Sequence, residues 1–313
     1  MGLSRWASWC GSIVALVLAG IFVDPAHRVP PFFLGDLKKY DKGYQDFVLA
    51  TQEALSSKRL FGTTVLHEVS GNEWLQGGLI LDVGVFLGSS TRLLAKLLGN
   101  RTMVHGFDTF SGFPEGEWYL DDLKFPTSFQ HSEYWVKGMI SEHGLSFVNG
   151  MPSTMGHNIT FHKGLVSDTL QPVLDAHPGT PVKFLHVDID TYEGAKHTLE
   201  ACRKRFVPGT IIAFDDFHVL NGEFKAFYEF QKEHSFQYTW NSWGNDIGYK
   251  NIISLKTFLC WMVGFNFINT RMFQVVMGIR WSTSFMDYIH MVFSFYNNAV
   301  SLHITDVGSL HDP

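Results

Sequence analysis

LILDVGVFLGSST, Leu79 to Thr91, is the stretch on which the fold turns. Leu79 to Val83 is an apolar run of strand length, interrupted only by Asp82. Gly84 and Gly88 break the chain, and a run follows whose apolar side chains recur at helical spacing: Leu93, Leu94, Leu97 and Leu98, with Gly99 as the stop. The glycines remove side chains where backbone must pass close to a ligand, and Ser89-Ser90-Thr91 supplies hydroxyls for the helix N-terminus. A dinucleotide-binding turn has three glycines and receives a pyrophosphate. Here the spacing differs and an acid sits in the turn. That acid repels phosphate and suits the ammonium of an amino-acid moiety, although glycines at such a turn can also be purely structural.

The pattern continues on both sides. Short apolar strands are expected at Met103–Asp108, Ile159–His162, Val182–Asp188 and Thr210–Asp215, separated by helical patterns such as Tyr192–Phe206. That alternation predicts an α/β fold, a doubly wound, mostly parallel sheet. Phe236–Trp240 and Asn251–Leu255 can form a last antiparallel hairpin. Upstream, Tyr40 to Ser57 reads as an amphipathic helix with Tyr44, Phe47, Val48 and Leu55 on one side. Gly116 to Gly156 interrupts the rhythm with Trp118, Tyr119, Tyr134 and Trp135, and loops this long tend to be lids or binding elements. The expected organisation is a signal anchor or signal peptide over 1–28, a stalk and helical region over 29–78, the main domain over 79–256 with its probable lid at 116–156, and an apolar extension over 257–313.

Composition narrows the function classes. The chain has 313 residues, a net charge of −6 and no long run of Lys or Arg, which disfavours a nucleic-acid partner. Cys10, Cys202 and Cys260 are too few and too dispersed for a disulfide framework or a zinc cluster. Trp6 to Val23 carries no charge, follows Arg5 and ends at Asp24-Pro25. That layout fits an uncleaved, membrane-bound signal anchor with the main domain in the lumen of the secretory pathway, or a cleaved signal peptide. Two sequons, Asn100-Arg-Thr and Asn158-Ile-Thr, give weak support to that topology.

The chemistry-bearing residues fall at strand ends. Asp108 closes the second strand, where an acid in doubly wound folds accepts hydrogen bonds from ribose hydroxyls, although it also suits a turn. VDID carries Asp188 and Asp190, and FDDF carries Asp215 and Asp216, at the ends of two strands expected to be neighbours. Carboxylates crowded together repel unless protonated or holding a cation, and hard oxygen donors select Mg²⁺, Mn²⁺ or Ca²⁺.

In this order, DVGVFLGSSTRLLAKLL, GFDTFSGFPE, FHKGLVSDTL, FLHVDIDTYEGAKHTLE, FVPGTIIAFDDF and GEFKAFYEF resemble the macrocin O-methyltransferase family of class I S-adenosylmethionine-dependent methyltransferases. The metal arrangement is also similar to that of catechol O-methyltransferases. The resemblance implies a Rossmann-like sheet of seven strands, S-adenosyl-L-methionine as co-substrate and Mg²⁺ or another divalent cation. It places Asp82, Gly84, Phe86, Gly88 and Ser90 at the methionine part, Asp108 at the ribose, and Val166, Ser167 and Asp168 at the adenine. Asp188, Asp215 and Asp216 match the metal ligands. Asp190 is a candidate base or an orienting group, since no Lys follows Asp188 as it does in the catechol type. His186 reads as buried and structural, and His218 as able to reach substrate. The acceptor implied is a small molecule or a glycan hydroxyl. Two rival readings are a nucleotide-binding oxidoreductase, which lacks its third glycine here, and a non-catalytic membrane-anchored binding protein.

Overall fold

The computed structural model describes residues 33, 35–86, 88–114, 147–148, 151–152, 158–245 and 299–312. Trp6–Val23, the four insertion aromatics, Asn251–Leu255 and residues 257–298 lie outside them. Among the described residues, no helix is long and apolar enough to cross a membrane.

In chain order the elements are α1 (Lys42–Ser56), β1 (Arg59–Thr63), α2 (Thr64–Val69), β2 (Leu79–Val83), α3 (Ser89–Leu98), β3 (Val104–Asp108), β4 (Phe147–Val148), β5 (Met151–Pro152), β6 (Ile159–Lys163), α4 (Val166–Ala176), β7 (Val182–Val187), α5 (Tyr192–Cys202), β8 (Phe206–Phe214), α6 (Glu223–Glu233), β9 (Gln237–Asn245) and β10 (Ala299–Asp306). All but β4 and β5, which pair with each other, join one sheet of order β1-β9-β10-β8-β7-β2-β3-β6. The run from β8 to β6 is parallel, and β10 lies antiparallel between β8 and β9. Strand order reverses between β2 and β7, and such a switch point opens a crevice at the strand carboxyl ends.

Alternation along the strands covers both sheet faces. Leu79, Leu81, Val83, Leu185, Val187, Ile212 and Phe214 pack toward α4, α5, α6 and α1, while Ile80, Phe184, Ile211 and Ala213 pack with Val69, Leu94 and Ala95 of α2 and α3. The parallel strands are thus nearly continuous apolar runs, as burial on both faces requires.

The seven strands expected are present, and β1 adds an eighth at the free edge of β9. Three expectations need correction. The region before Leu79 is not a stalk where it is described: Tyr44, Val48 and Leu55 of α1 are buried, and Tyr44 packs on Phe224 and Tyr228 of α6. Most consequential is β10. The strand beside β9 is Ala299–Asp306, from the stretch expected to be an extension, and its Val300, Leu302 and Ile304 are buried. The helix expected to reach Phe206 also ends early, at Cys202, because Phe206 pairs with Val182 as the start of β8.

Candidate active site

The turn after β2 is built by close approach. Gly84 has φ +96, and a Cβ there would lie 1.5 Å from the Asp188 carbonyl oxygen. Glycine is therefore demanded by the crossing at the switch point, before any ligand is considered. Asp82 just before it is wholly buried. Its carboxylate accepts from Ser90 Oγ at 3.1 Å and from Thr91 Oγ1, and it meets His186 Nδ1 at 2.7 Å. Asp82 thus fixes the start of α3 from below and presents no oxygen at the strand-end surface, contrary to the expected methionine contact. Ser90 is likewise turned inward, and the helix N-cap is Gly88, at φ +74 with no side-chain cap bond. His186 is buried, as expected.

Asp108 joins two turns. Its Oδ2 accepts the N–H groups of Val85 (3.0 Å) and Phe86 (2.8 Å), and its Oδ1 that of Phe110 (2.7 Å). Burial raises its pKa, with Asp82 adding to the rise and the three N–H bonds opposing it. Oδ1 accepts one N–H and keeps a lone pair for a second donor, as a ribose hydroxyl would be. Phe86 and Phe110 both have φ 50, a strained region for such side chains. Phe86 is 38% exposed, and Leu165, after β6, is 44% exposed. Val166, expected at the adenine, is instead buried in α4, and Ser167 is exposed. Leu165, just before α4, presents the exposed apolar side chain of this segment.

The acids lie at the ends of β7 and β8. The N–H of Asp188 continues the ladder to Val83 O at 2.7 Å, and that of Asp215 to Val187 O at 2.9 Å, so the two acidic segments leave the sheet side by side. Asp188 and Asp190 are half-buried, Asp215 and Asp216 buried. Asp190 has φ 56. Burial holds its pKa well above the usual range, helped by Asp216, by Asp188 and by Glu223. Glu223, at the start of α6, is wholly buried and raised by the same causes: burial, then Asp216 and Asp188. No sequence signal set Glu223 apart from the other acids of its helix. His218 is 3% exposed, with Nδ1 3.8 Å from Asp216 Oδ1. Burial lowers its pKa against the pull of Asp216, so it stands neutral and walled off from solvent rather than open to substrate.

A donor set of crowded hard oxygens fits a divalent cation, which would relieve the carboxylate repulsion that adds to burial in raising the pKa of Asp190 and Glu223. Among the described residues, however, the trio whose ligand atoms all come within 4.8 Å of one another is Glu200, Glu233 and His234, away from this site. Within that trio, His234 Nε2 lies 2.9 Å from Glu200 Oε1, at hydrogen-bond distance.

Residues 81–217 match a family model described as a methyltransferase domain. By that match, residues 81–217 form a methyltransferase domain. The matched span of the methyltransferase holds Asp82, Asp108, Asp188, Asp190, Asp215 and Asp216, and leaves Glu223 just outside. No curated protein matches the chain. Among solved structures, the calicheamicin methyltransferase CalS11 shares 23% identity over 64% of this chain and 78% of its own, with a TM-score of 0.38. The O-methyltransferase NovP shares 19% over 51% and 66%, with a TM-score of 0.33. An O-methyltransferase from Bacillus cereus in complex with SAH shares 15% over 64% and 84%, with a TM-score of 0.34. The assignment of the methyltransferase rests on the sequence match, which also leaves the oxidoreductase reading without support.

Proposed function

We propose that this methyltransferase transfers the methyl of S-adenosylmethionine to a hydroxyl oxygen, assisted by Mg²⁺ or a similar cation at Asp188, Asp215 and Asp216. The observation that supports it most is the crowding of carboxylates at the ends of β7 and β8, beside the switch point with β2. Phe86, Asp108 and Leu165, at the ends of β2, β3 and β6, are the residues favoured to receive the cofactor. In the transfer the methyl–sulfur bond breaks as the methyl–oxygen bond forms, leaving a neutral thioether. The acceptor proton passes to a base. Bound at the acids, the cation would polarise the acceptor oxygen and lower its pKa.

Asp190 is the favoured base. Asp190 as a residue is half-buried and its proton affinity is raised, whereas His218 is sealed and has a lowered one. A sugar or glycan acceptor is supported by the motif resemblance to the macrocin O-methyltransferase family. Attachment to a secretory-pathway membrane is supported by the uncharged run Trp6–Val23 after Arg5. The test of the cation is direct: turnover with labelled methyl donor should vanish in EDTA and return with Mg²⁺ or Mn²⁺. Full activity in excess EDTA would leave acid–base catalysis alone.

A further inference from the structure

We infer that Glu223 is a positioning residue for the two acidic segments, because one buried carboxylate holds the main chain of both. Its Oε1 accepts the N–H of Ile189 at 3.3 Å, and its Oε2 accepts the N–H of Asp216 at 3.2 Å. Ile189 lies between Asp188 and Asp190, and Asp216 follows Asp215. Every acid of the site is therefore a clamped residue or its immediate neighbour.

The bonds are not those of an ordinary helix cap. Gly222 is the N-cap of α6 and makes no side-chain cap bond, while Glu223 reaches away from its own helix to two other segments. A hydrophobic residue there would bury more cheaply than a wholly buried acid. What it could not do is accept a main-chain N–H from each segment. The left-handed backbone of Asp190, φ 56, lies one residue from the clamped Ile189 peptide. Without Glu223, the buried N–H of Asp216 and the part-buried N–H of Ile189 lose their acceptor, and the spacing between the ends of β7 and β8 is no longer held across the carboxylates.

This inference rests on the reading of Asp188, Asp215 and Asp216 as cation ligands, and it locates the effect in cation affinity rather than cofactor affinity. The test is Mn²⁺ titration of the full chain, followed by the paramagnetic resonance of free Mn²⁺, alongside calorimetry with S-adenosylhomocysteine. Glu223→Ala should weaken Mn²⁺ binding by about tenfold or more, and S-adenosylhomocysteine binding by less than about twofold. Glu223→Gln keeps the side-chain shape and one acceptor, and should show a smaller Mn²⁺ loss with a near-normal melting temperature. Wild-type Mn²⁺ affinity in both variants would overturn the inference while leaving the cation reading intact. Parallel loss of both ligands in Glu223→Gln would overturn it in favour of a packing role. A wild-type chain that binds no Mn²⁺ would defeat the cation reading, and the inference with it.

Discussion

Asp108 accepts three main-chain N–H groups from two turns, so removing its carboxylate acts on folding as well as on the proposed ribose contact. Asp108→Ala should cost about 1–3 kcal/mol of stability and weaken S-adenosylhomocysteine by about tenfold. Equal affinity in wild type and variant, measured below the variant's melting transition, would remove the ribose from its role. The residue scale also carries a pH dependence away from the site. His105 is buried against His162 and His177, with Nδ1 3.1 Å from His162 Nε2, and burial followed by those two rings lowers its pKa from 6.5 to about 4. The folded form keeps this ring neutral while the unfolded chain takes up a proton below pH 6.5. The stabilisation is therefore complete above that pH and lost as pH falls toward about 4, reaching about 2 kcal/mol lost at pH 5. Urea midpoints at pH 7.5 and 5 should diverge less in His105→Gln than in wild type. An equal divergence would assign the acid sensitivity to other groups.

At the scale of elements, the end of α3 and the start of β6 are joined by one amide. Asn158 Nδ2 donates to the carbonyls of Ala95, Gly99 and Thr102, at 3.0, 2.9 and 3.2 Å, and the residue is buried. That nitrogen is the one a glycan would occupy, so the second sequon is used by the fold. Asn100, in the turn just after α3, is exposed. If the domain enters the lumen, one glycan should be added, at Asn100, and Asn100→Gln should abolish the mobility shift released by endoglycosidase. A persisting shift would place a sugar on Asn158 and contradict the packing. Asn158→Ala should instead destabilise, by about 1–3 kcal/mol, through the carbonyls it leaves bare. The strand positions themselves were legible, since Leu79–Val83 and its parallel neighbours are apolar runs bounded by turn residues. Less legible was β10, because Ala299–Asp306 mixes Ser301 and His303 with its apolar residues. Those two side chains face the buried Glu68, with His303 Nε2 2.7 Å from Glu68 Oε2 and Ser301 donating to Oε1. A polar residue in a strand reads as exposed until its partner is known.

On the scale of the whole molecule, β10 makes the C-terminus part of the sheet. It lies between β8 and β9, and its ladders to both are antiparallel. Ending the chain at residue 298 would strip a strand from inside the sheet and expose Ile212, Phe214 and Trp243, which are buried. Such a chain should fail to show a cooperative melting transition. Ending it at residue 310 should spare the sheet and cost the Arg203 bond to Asp312 O, the contact of His311 Nε2 with Phe206 O and the Asp312 N–H bond to Ser309 O. Cooperative folding of the 1–298 chain would show that β10 is dispensable.

By itself the sequence determined the elements that repeat locally: strands by apolar runs, helices by their spacing, and acids at the carboxyl end of each central strand. These properties are set by residues a few positions apart, where the chain's own geometry decides who is near whom. Only the tertiary structure decided the partners. Asp82 meets His186, 104 residues away, and so turns inward; Glu68 meets His303, 235 residues away; and Glu223 reaches Ile189 and Asp216 at once. An aspartate at a strand end has the same local signature whether it faces a ligand or a buried imidazole. Which of the two it faces depends on the strand packed beside it, and that depends on the registry of the whole sheet.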